Sequence, residues 1–128
     1  MIVIDSSFLV SFYHSGDSNN AKAIALANDA SGEEKVLSDI ILLESLTVLG
    51  SRAGMTCAKK ALEELVSNTS IRMFYFSEDE RMGIINEFMA QAKCRLSTAD
   101  ISVIQLAKKS GSAILAFDKN LVKEAKKK

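Results

Sequence analysis

The sequence predicts an α/β domain in which a central parallel sheet is sandwiched between two layers of helices. Short apolar runs alternate along the chain with longer helical patterns, and this order builds a parallel sheet through right-handed crossovers. Some runs, such as IVI at positions 2–4, are apolar at every position, as in strands that are covered on both faces. The length of 128 residues and the absence of proline predict one domain, 1–128, without a linker.

In the first half of the chain, a β-branched run and a second short run predict strands, and turn residues separate the elements. Gly16, Asp17 and Ser18 interrupt the pattern, and then alanines favour a helix that Gly32 ends. Gly54 breaks the chain again before an amphipathic helix. The predicted elements are a strand at 2–4, helices at 7–13 and 19–30, a strand at 35–38, and helices at 39–50 and 56–66.

Helix caps organise the second half of the chain. Ser77 and Glu80 have the spacing of a capping box, and Ser97 or Thr98 is placed to cap a further helix that Gly111 ends. Two more apolar runs predict strands. The predicted elements are a strand at 71–76, a helix from the first cap to about 93, a helix from 97 or 98 to 111, a strand at 113–117, and a short basic helix from Lys119.

Composition excludes several classes of protein. Sixteen basic and sixteen acidic residues give a formal net charge of zero, so no global field attracts nucleic acid or membrane. Two cysteines are too few for a disulfide framework, and no apolar run approaches the length of a membrane span. We expect a cytoplasmic protein without a signal peptide. The single histidine, His14, excludes a metal site or catalytic triad built from several histidines.

Two acids follow predicted strands. Asp5 comes directly after the first strand and Asp118 after the last. Ligands bind at the carboxyl ends of the strands in open parallel sheets, so these two side chains could share a site. The alternative is that each acid only caps the helix that follows it.

Two further acids lie on apolar helix faces. Glu44 is flanked at helical spacing by isoleucine and valine, and Asp100 shares its face with Val103 and Ile104. Burying an unpaired carboxylate is costly, so such positions favour a charge partner or a metal. The alternatives are partial exposure for Glu44 and membership of the Ser97 cap for Asp100.

Four stretches together resemble the PIN domain family, a group of small metal-dependent nucleases that includes the VapC-type toxins. They are IVIDSSFLV, VLSDIILLESLTVL, LSTADISVIQLAKKSGSAIL and AFDKNL. The resemblance implies a PIN-like fold over nearly the whole chain. It also implies a catalytic and metal-binding site at Asp5, Glu44, Asp100 and Asp118, with Ser7 and Asp39 in supporting positions. One residue departs from the family pattern, because Ala116 stands where the family usually has Ser or Thr.

Carboxylates clustered in this way repel one another and suit hard cations, so we expect one or two Mg²⁺ or Mn²⁺ ions. Asp5, Asp100 and Asp118 are expected to hold them, with Glu44 as a further ligand or an orienting group. The resemblance implies RNA as the substrate, a cognate antitoxin as a possible partner, and a homodimer. Candidates for contact with RNA phosphates are Arg52, Arg95, Lys119 and the lysines at 126–128.

Other functions stay open from the sequence. Ala116 allows a catalytically inactive PIN domain that only binds RNA or protein, and a housekeeping RNA-processing PIN protein would look much the same. A receiver-type signalling module normally needs an acid pair after its first strand, whereas Asp5 is followed by two serines. A phosphatase with an Asp-x-Asp nucleophile would need an acid in place of Ser7. The aromatic run at 74–76 is expected in the core rather than as a base-stacking surface.

Overall fold

Four parallel strands form the centre of the fold in a computed structural model, which describes residues 1–125 and, at positions 119, 120 and 125, the backbone alone. The strands are β1 (Ile2–Ile4), β2 (Lys35–Ser38), β3 (Ile71–Phe74) and β4 (Ala113–Leu115). Their order across the sheet is β3-β2-β1-β4. β1 is therefore central, pairing Val3 with Val36 on one side and Ile4 with Leu115 on the other.

Helices connect and flank the strands, which confirms the predicted α/β fold. All of β1 is buried, as are three of the four residues of β2, so side chains on both faces of the sheet are covered. No helix within residues 1–125 has the length and apolar character to cross a bilayer. The helices are α1 (Ser6–Tyr13), α2 (Asn20–Asp29), α3 (Asp39–Arg52), α4 (Met55–Ser67), α5 (Glu78–Met89), α6 (Thr98–Ser110) and α7 (Lys119–Ala125).

The helix ends largely follow the predicted caps. Ser77 and Glu80 form the capping box of α5, and Ser97 rather than Thr98 caps α6. Gly111 ends α6 with a left-handed backbone, φ 65°, which glycine adopts without steric cost.

The structure corrects the ends of two predicted strands, which are shorter than the apolar runs. β3 ends at Phe74 because the N–H of Phe76 leaves the sheet and donates to Asp39 Oδ1 at 3.3 Å. β4 ends at Leu115 because its partner β1 ends at Ile4. The N–H of Phe117 is then taken by the Ser7 side chain.

The end of α5 also differs from the prediction. The helix ends at Met89 instead of near residue 93. The Gln91 side chain closes the turn that follows, because its amide donates to Leu96 O at 3.0 Å and its oxygen accepts from Leu96 N at 3.0 Å. These bonds return the chain to the start of α6.

Candidate active site

A cleft of about 540 Å³ opens beyond the carboxyl ends of β1 and β4. Its walls come from α1, the turn after α1, the inner side of α3, the start of α6 and the segment before α7. The four acids that the sequence singled out all line this cleft, although they lie up to 113 positions apart in the chain. The acidic residues that line it are Asp5, Asp17, Glu44, Asp100 and Asp118.

Asp5 is the most buried of these acids, with 3% of its surface exposed. It caps α1, and its Oδ2 accepts from the N–H of Ser7 at 3.1 Å. Burial raises the pKa of the Asp5 carboxyl above its usual range, the hydrogen bonds from Ser7 oppose this, and the negative charge of Asp100 raises it further. Asp5 and Asp100 are therefore close enough to repel each other.

Glu44 faces the cleft from the middle of α3 and is half-buried. Its Oε2 accepts a hydrogen bond of 2.6 Å from the hydroxyl of Ser6, in the first turn of α1. Val48, one turn later on α3, lines the same cleft. The apolar face of this helix thus carries its one carboxylate to the cleft, where a serine holds it.

Asp100 and Asp118 each accept a hydrogen bond at a helix start, as the alternative of a helix cap predicted. Asp100 Oδ2 accepts from Ser97 N at 2.9 Å within the capping box of α6. Asp118 Oδ1 accepts from Leu121 N at 3.2 Å at the start of α7. These caps explain why acids occupy the two helix starts, but they do not explain why both starts meet at one cleft with Asp5 and Glu44.

Ser7 joins two parts of the cleft. Its Oγ accepts from the N–H of Phe117 at 2.9 Å, and the Ser7 hydroxyl also acts to lower the pKa of the Asp5 carboxyl. The serine therefore fixes the segment that carries Asp118 relative to α1. Ala116, the residue that departs from the family pattern, is half-buried and packs against the core. It offers no hydroxyl group to the cleft.

Asp17 is the acidic cleft residue that the sequence did not indicate, because its neighbours Gly16 and Ser18 predict only a turn. Its Oδ2 accepts from Asn19 N at 2.9 Å. The pKa of the Asp17 carboxyl is lowered by that hydrogen bond, by another from Ser11, and more weakly by the charges of His14 and Arg52. The short spacing to Asn19 is typical of such a turn and gives no indication of a site.

The other predicted site residues do not all reach the cleft. Arg52 lines it from the end of α3. Arg95 does not, and its guanidinium donates to Glu124 at 2.6 Å. Asp39 also lies outside the cleft lining, in an ion pair with Arg81. The side chain of Lys119 and the lysines at 126–128 lie outside the described residues.

The chemistry of the cleft suits a divalent ion. Its donors are carboxylate and hydroxyl oxygens, which Mg²⁺ and Mn²⁺ prefer, and a cation would relieve the repulsion between Asp5 and Asp100. Within residues 1–125, no three carboxylate, histidine or cysteine side chains are close enough to form a complete protein-only site. Mg²⁺ does not need one, because it commonly binds through one or two carboxylates and keeps several waters.

The sequence matches the PIN domain over residues 2–127. The chain belongs to the PIN domain family. This PIN domain has the fold of VapC20 from Mycobacterium tuberculosis, a toxin that cleaves the sarcin-ricin loop, with a TM-score of 0.86, 20% identity, and coverage of 97% of this chain and 95% of that one. PAE2754 from Pyrobaculum aerophilum is also similar, with a TM-score of 0.64, 18% identity, and coverage of 98% and 84%. No curated protein sequence matches the chain significantly.

Proposed function

We propose that this PIN domain is a divalent-metal-dependent endoribonuclease that hydrolyses phosphodiester bonds in RNA. The observation that carries the proposal is the meeting of Asp5, Glu44, Asp100 and Asp118 in one cleft. These acids come from four separate parts of the fold, and their local hydrogen bonds do not require them to meet. Membership of the PIN domain family and the similarity in fold to an RNA-cleaving toxin support the same function.

In this proposal Asp5, Asp100 and Asp118 would hold one or two Mg²⁺ or Mn²⁺ ions, with Glu44 as a further ligand or an orienting group. Such an ion would lower the pKa of a bound water and neutralise charge on the phosphate. Ser6 holds the Glu44 carboxylate in orientation through its 2.6 Å hydrogen bond.

The hydrogen bond between Ser7 and the N–H of Phe117 keeps the Asp118 segment beside Asp5. Burial of Asp5 strengthens the electrostatic attraction of its carboxylate for a cation, because little solvent screens it.

The cellular role that we propose is that of a toxin in a toxin–antitoxin pair. Toxins of this family are held by a partner segment that covers the acidic cleft, and an acidic cleft suits a basic segment. Cys57 and Cys94 are free thiols, which agrees with a reducing cytoplasm. Growth arrest on expression, reversed by the product of a neighbouring gene, would support this role, whereas unimpaired growth with active enzyme would favour housekeeping RNA processing.

The family resemblance also leads us to propose a homodimer. Exposed apolar side chains lie on α3, on α4 and along one face of α5, and groups of this kind often mark protein contacts. Sedimentation of the purified protein at micromolar concentration tests this, since a monomer would contradict it. These side chains are Leu43 on α3, Met55, Leu62 and Val66 on α4, and Met82, Ile85 and Met89 on α5.

The test of the nuclease is cleavage of mixed structured and single-stranded RNAs by purified protein in Mg²⁺ or Mn²⁺. We expect cleavage that EDTA abolishes and that Asp5→Asn reduces by at least about 100-fold, since removing an interaction with the developing charge costs several kcal/mol. Asp29→Asn is the matched control, because Asp29 is exposed at the end of α2 and outside the cleft lining.

The result has two informative alternatives. Cleavage that survives Asp5→Asn would contradict the assignment of the site. RNA binding without metal-dependent cleavage would favour the inactive PIN domain, for which Ala116 is the relevant departure.

A further inference from the structure

The arginines of this chain differ in whether they form ion pairs. Three of them form ion pairs on the surface, namely Arg72 with Glu34, Arg81 with Asp39, and Arg95 with Glu124. Arg52 alone among the arginines forms no ion pair within the part of the chain that the structure describes. Its position makes this unusual, because it lines a cleft that holds five carboxylates.

Arg52 lies on the cleft side of α3. It follows Val48 by one turn and Glu44 by two turns, and all three residues line the cleft. It is also in the last turn of α3, where the helix dipole favours a positive charge. It is the one basic residue among the described residues that line the cleft. An RNA strand entering there therefore meets one described cation in the same cleft as the acids.

Asp17 faces this cation from a fixed position. Its carboxylate accepts a hydrogen bond from Asn19 N at 2.9 Å, so the turn holds it in place. The Asn20 side chain, which donates to Ser11 O at 2.9 Å, ties the same loop to the end of α1. Asp17 and Arg52 line the same cleft and attract each other, but they are not among the ion pairs of the described residues.

We propose that Arg52 binds a phosphate of the RNA strand in the cleft and that Asp17 is a positioning residue that draws the Arg52 guanidinium over the cleft. A guanidinium can donate two parallel hydrogen bonds to the oxygens of one phosphate, and an arginine that is not already paired gives up no ion pair to do so. Asp17 acts at a distance through its charge, so the phosphate does not have to displace it. The inference deepens the proposed nuclease function and rests on RNA being the substrate.

Binding of a fluorescein-labelled single-stranded RNA, measured by anisotropy in the Asp5→Asn background, tests Arg52 without interference from cleavage. We expect Arg52→Gln to raise Kd about tenfold, as for the loss of a charge-assisted hydrogen bond. The slope of log K against log salt concentration should fall by about 0.7, which corresponds to one phosphate contact on a single strand. Arg52→Lys should keep the slope and recover part of the affinity.

Arg72→Gln is the matched control, since Arg72 is an exposed arginine outside the cleft lining. It should leave Kd within about twofold. An unchanged Kd and salt slope in Arg52→Gln would overturn the phosphate-binding role. Because the Asp5→Asn background is used, this result is independent of whether the wild-type protein cleaves RNA. Failure of the nuclease proposal would instead appear as wild-type protein that cleaves no RNA in Mn²⁺.

A double-mutant cycle tests the positioning role of Asp17. Asp17→Asn keeps an oxygen acceptor for Asn19 N and removes the charge. We expect it to raise Kd about threefold when Arg52 is present and to have no such effect in the Arg52→Gln background. Equal weakening in both backgrounds would show a structural role only, and tighter RNA binding in the presence of Arg52 would show that Asp17 repels the substrate. Either result would overturn the positioning role.

Discussion

The charged residues of this chain fall into two regions that differ in how their charges are balanced. On the described surface away from the cleft, four acids form ion pairs with bases, as Glu34 does with Arg72 and Glu80 with Lys109. In the cleft, among the side chains that the structure describes, five acids lie with a single arginine, and that arginine is in none of the ion pairs. Because the net charge of the whole chain is zero, the imbalance is local. The difference shows that distribution, not total charge, marks the site.

The two regions also differ in what they contribute to stability. Exposed ion pairs contribute about 0 to 1 kcal/mol each. The cleft lowers the stability of the fold. Burial and the charge of Asp100 raise the pKa of Asp5 and make its ionised form unfavourable. The fold therefore maintains a carboxylate that favours a bound cation.

The largest effect is expected from removing a cleft charge while keeping its hydrogen bond. Glu44→Gln retains an oxygen that can accept from Ser6 but loses the negative charge. We expect the RNA cleavage rate to fall about 10- to 100-fold, the usual cost of disturbing a metal ligand or its support. Glu63→Gln, at an exposed position on α4, is the control and should cleave at the wild-type rate. Equal rates for both variants would remove Glu44 from the site.

A smaller effect on cleavage is expected from Ser7, whose hydrogen bond to Phe117 joins two parts of the cleft. Ser7→Ala leaves the N–H of Phe117 without its acceptor and removes a hydroxyl that acts on the Asp5 carboxyl. We expect the free energy of unfolding to fall by about 1 to 3 kcal/mol and cleavage to fall about fivefold as the Asp118 segment loosens. Chemical denaturation and kinetics measure both, with Ser31→Ala in an exposed turn as control. Loss of stability with full activity would contradict the positioning role of Ser7.

The third prediction concerns pH. Because the pKa of Asp5 in the folded protein is raised above its unfolded value, ionisation costs folding free energy as pH rises from about 4. In EDTA, the Tm of Asp5→Asn relative to wild type should therefore increase between pH 4 and 7. Mn²⁺ should raise the wild-type Tm and reduce the difference. A difference that does not change with pH would contradict the unfavourable ionisation of Asp5.

The smallest effect is expected on the balanced surface. Glu34→Gln breaks the exposed ion pair with Arg72. The free energy of unfolding should change by less than about 1 kcal/mol, and cleavage should stay at the wild-type rate. A loss of activity comparable with that of Glu44→Gln would mean that the two regions do not differ in the way the charges suggest.

Much of the fold follows from local sequence signals. The bounds of β1 and β2 match the predicted strands, and the caps at Ser77, Ser97 and Gly111 mark the helix ends that they predict. The strand ends do not follow from local signals. β4 stops where its neighbour β1 stops, and Phe117 then bonds to Ser7, which is 110 positions away in the chain.

The candidate site was predictable only in part, for the same reason. Asp5, Glu44, Asp100 and Asp118 carry local signals, namely strand ends and apolar helix faces, and the structure brings them to one cleft. Asp17 carries only the signal of a turn. Arg52 and Arg95 look alike in sequence. They differ in the structure because Glu124 on α7 forms an ion pair with Arg95.

Calorimetric titration of Mn²⁺ into the purified protein tests most directly whether the unbalanced cleft binds a divalent cation. We expect binding to one or two sites in the wild type, an affinity at least about tenfold weaker in Asp100→Asn, and no change in Asp29→Asn. Asp100→Asn keeps an oxygen that can accept the capping bond from Ser97, so a change in affinity reports the charge. No binding by the wild type, or equal binding by all three proteins, would contradict the account.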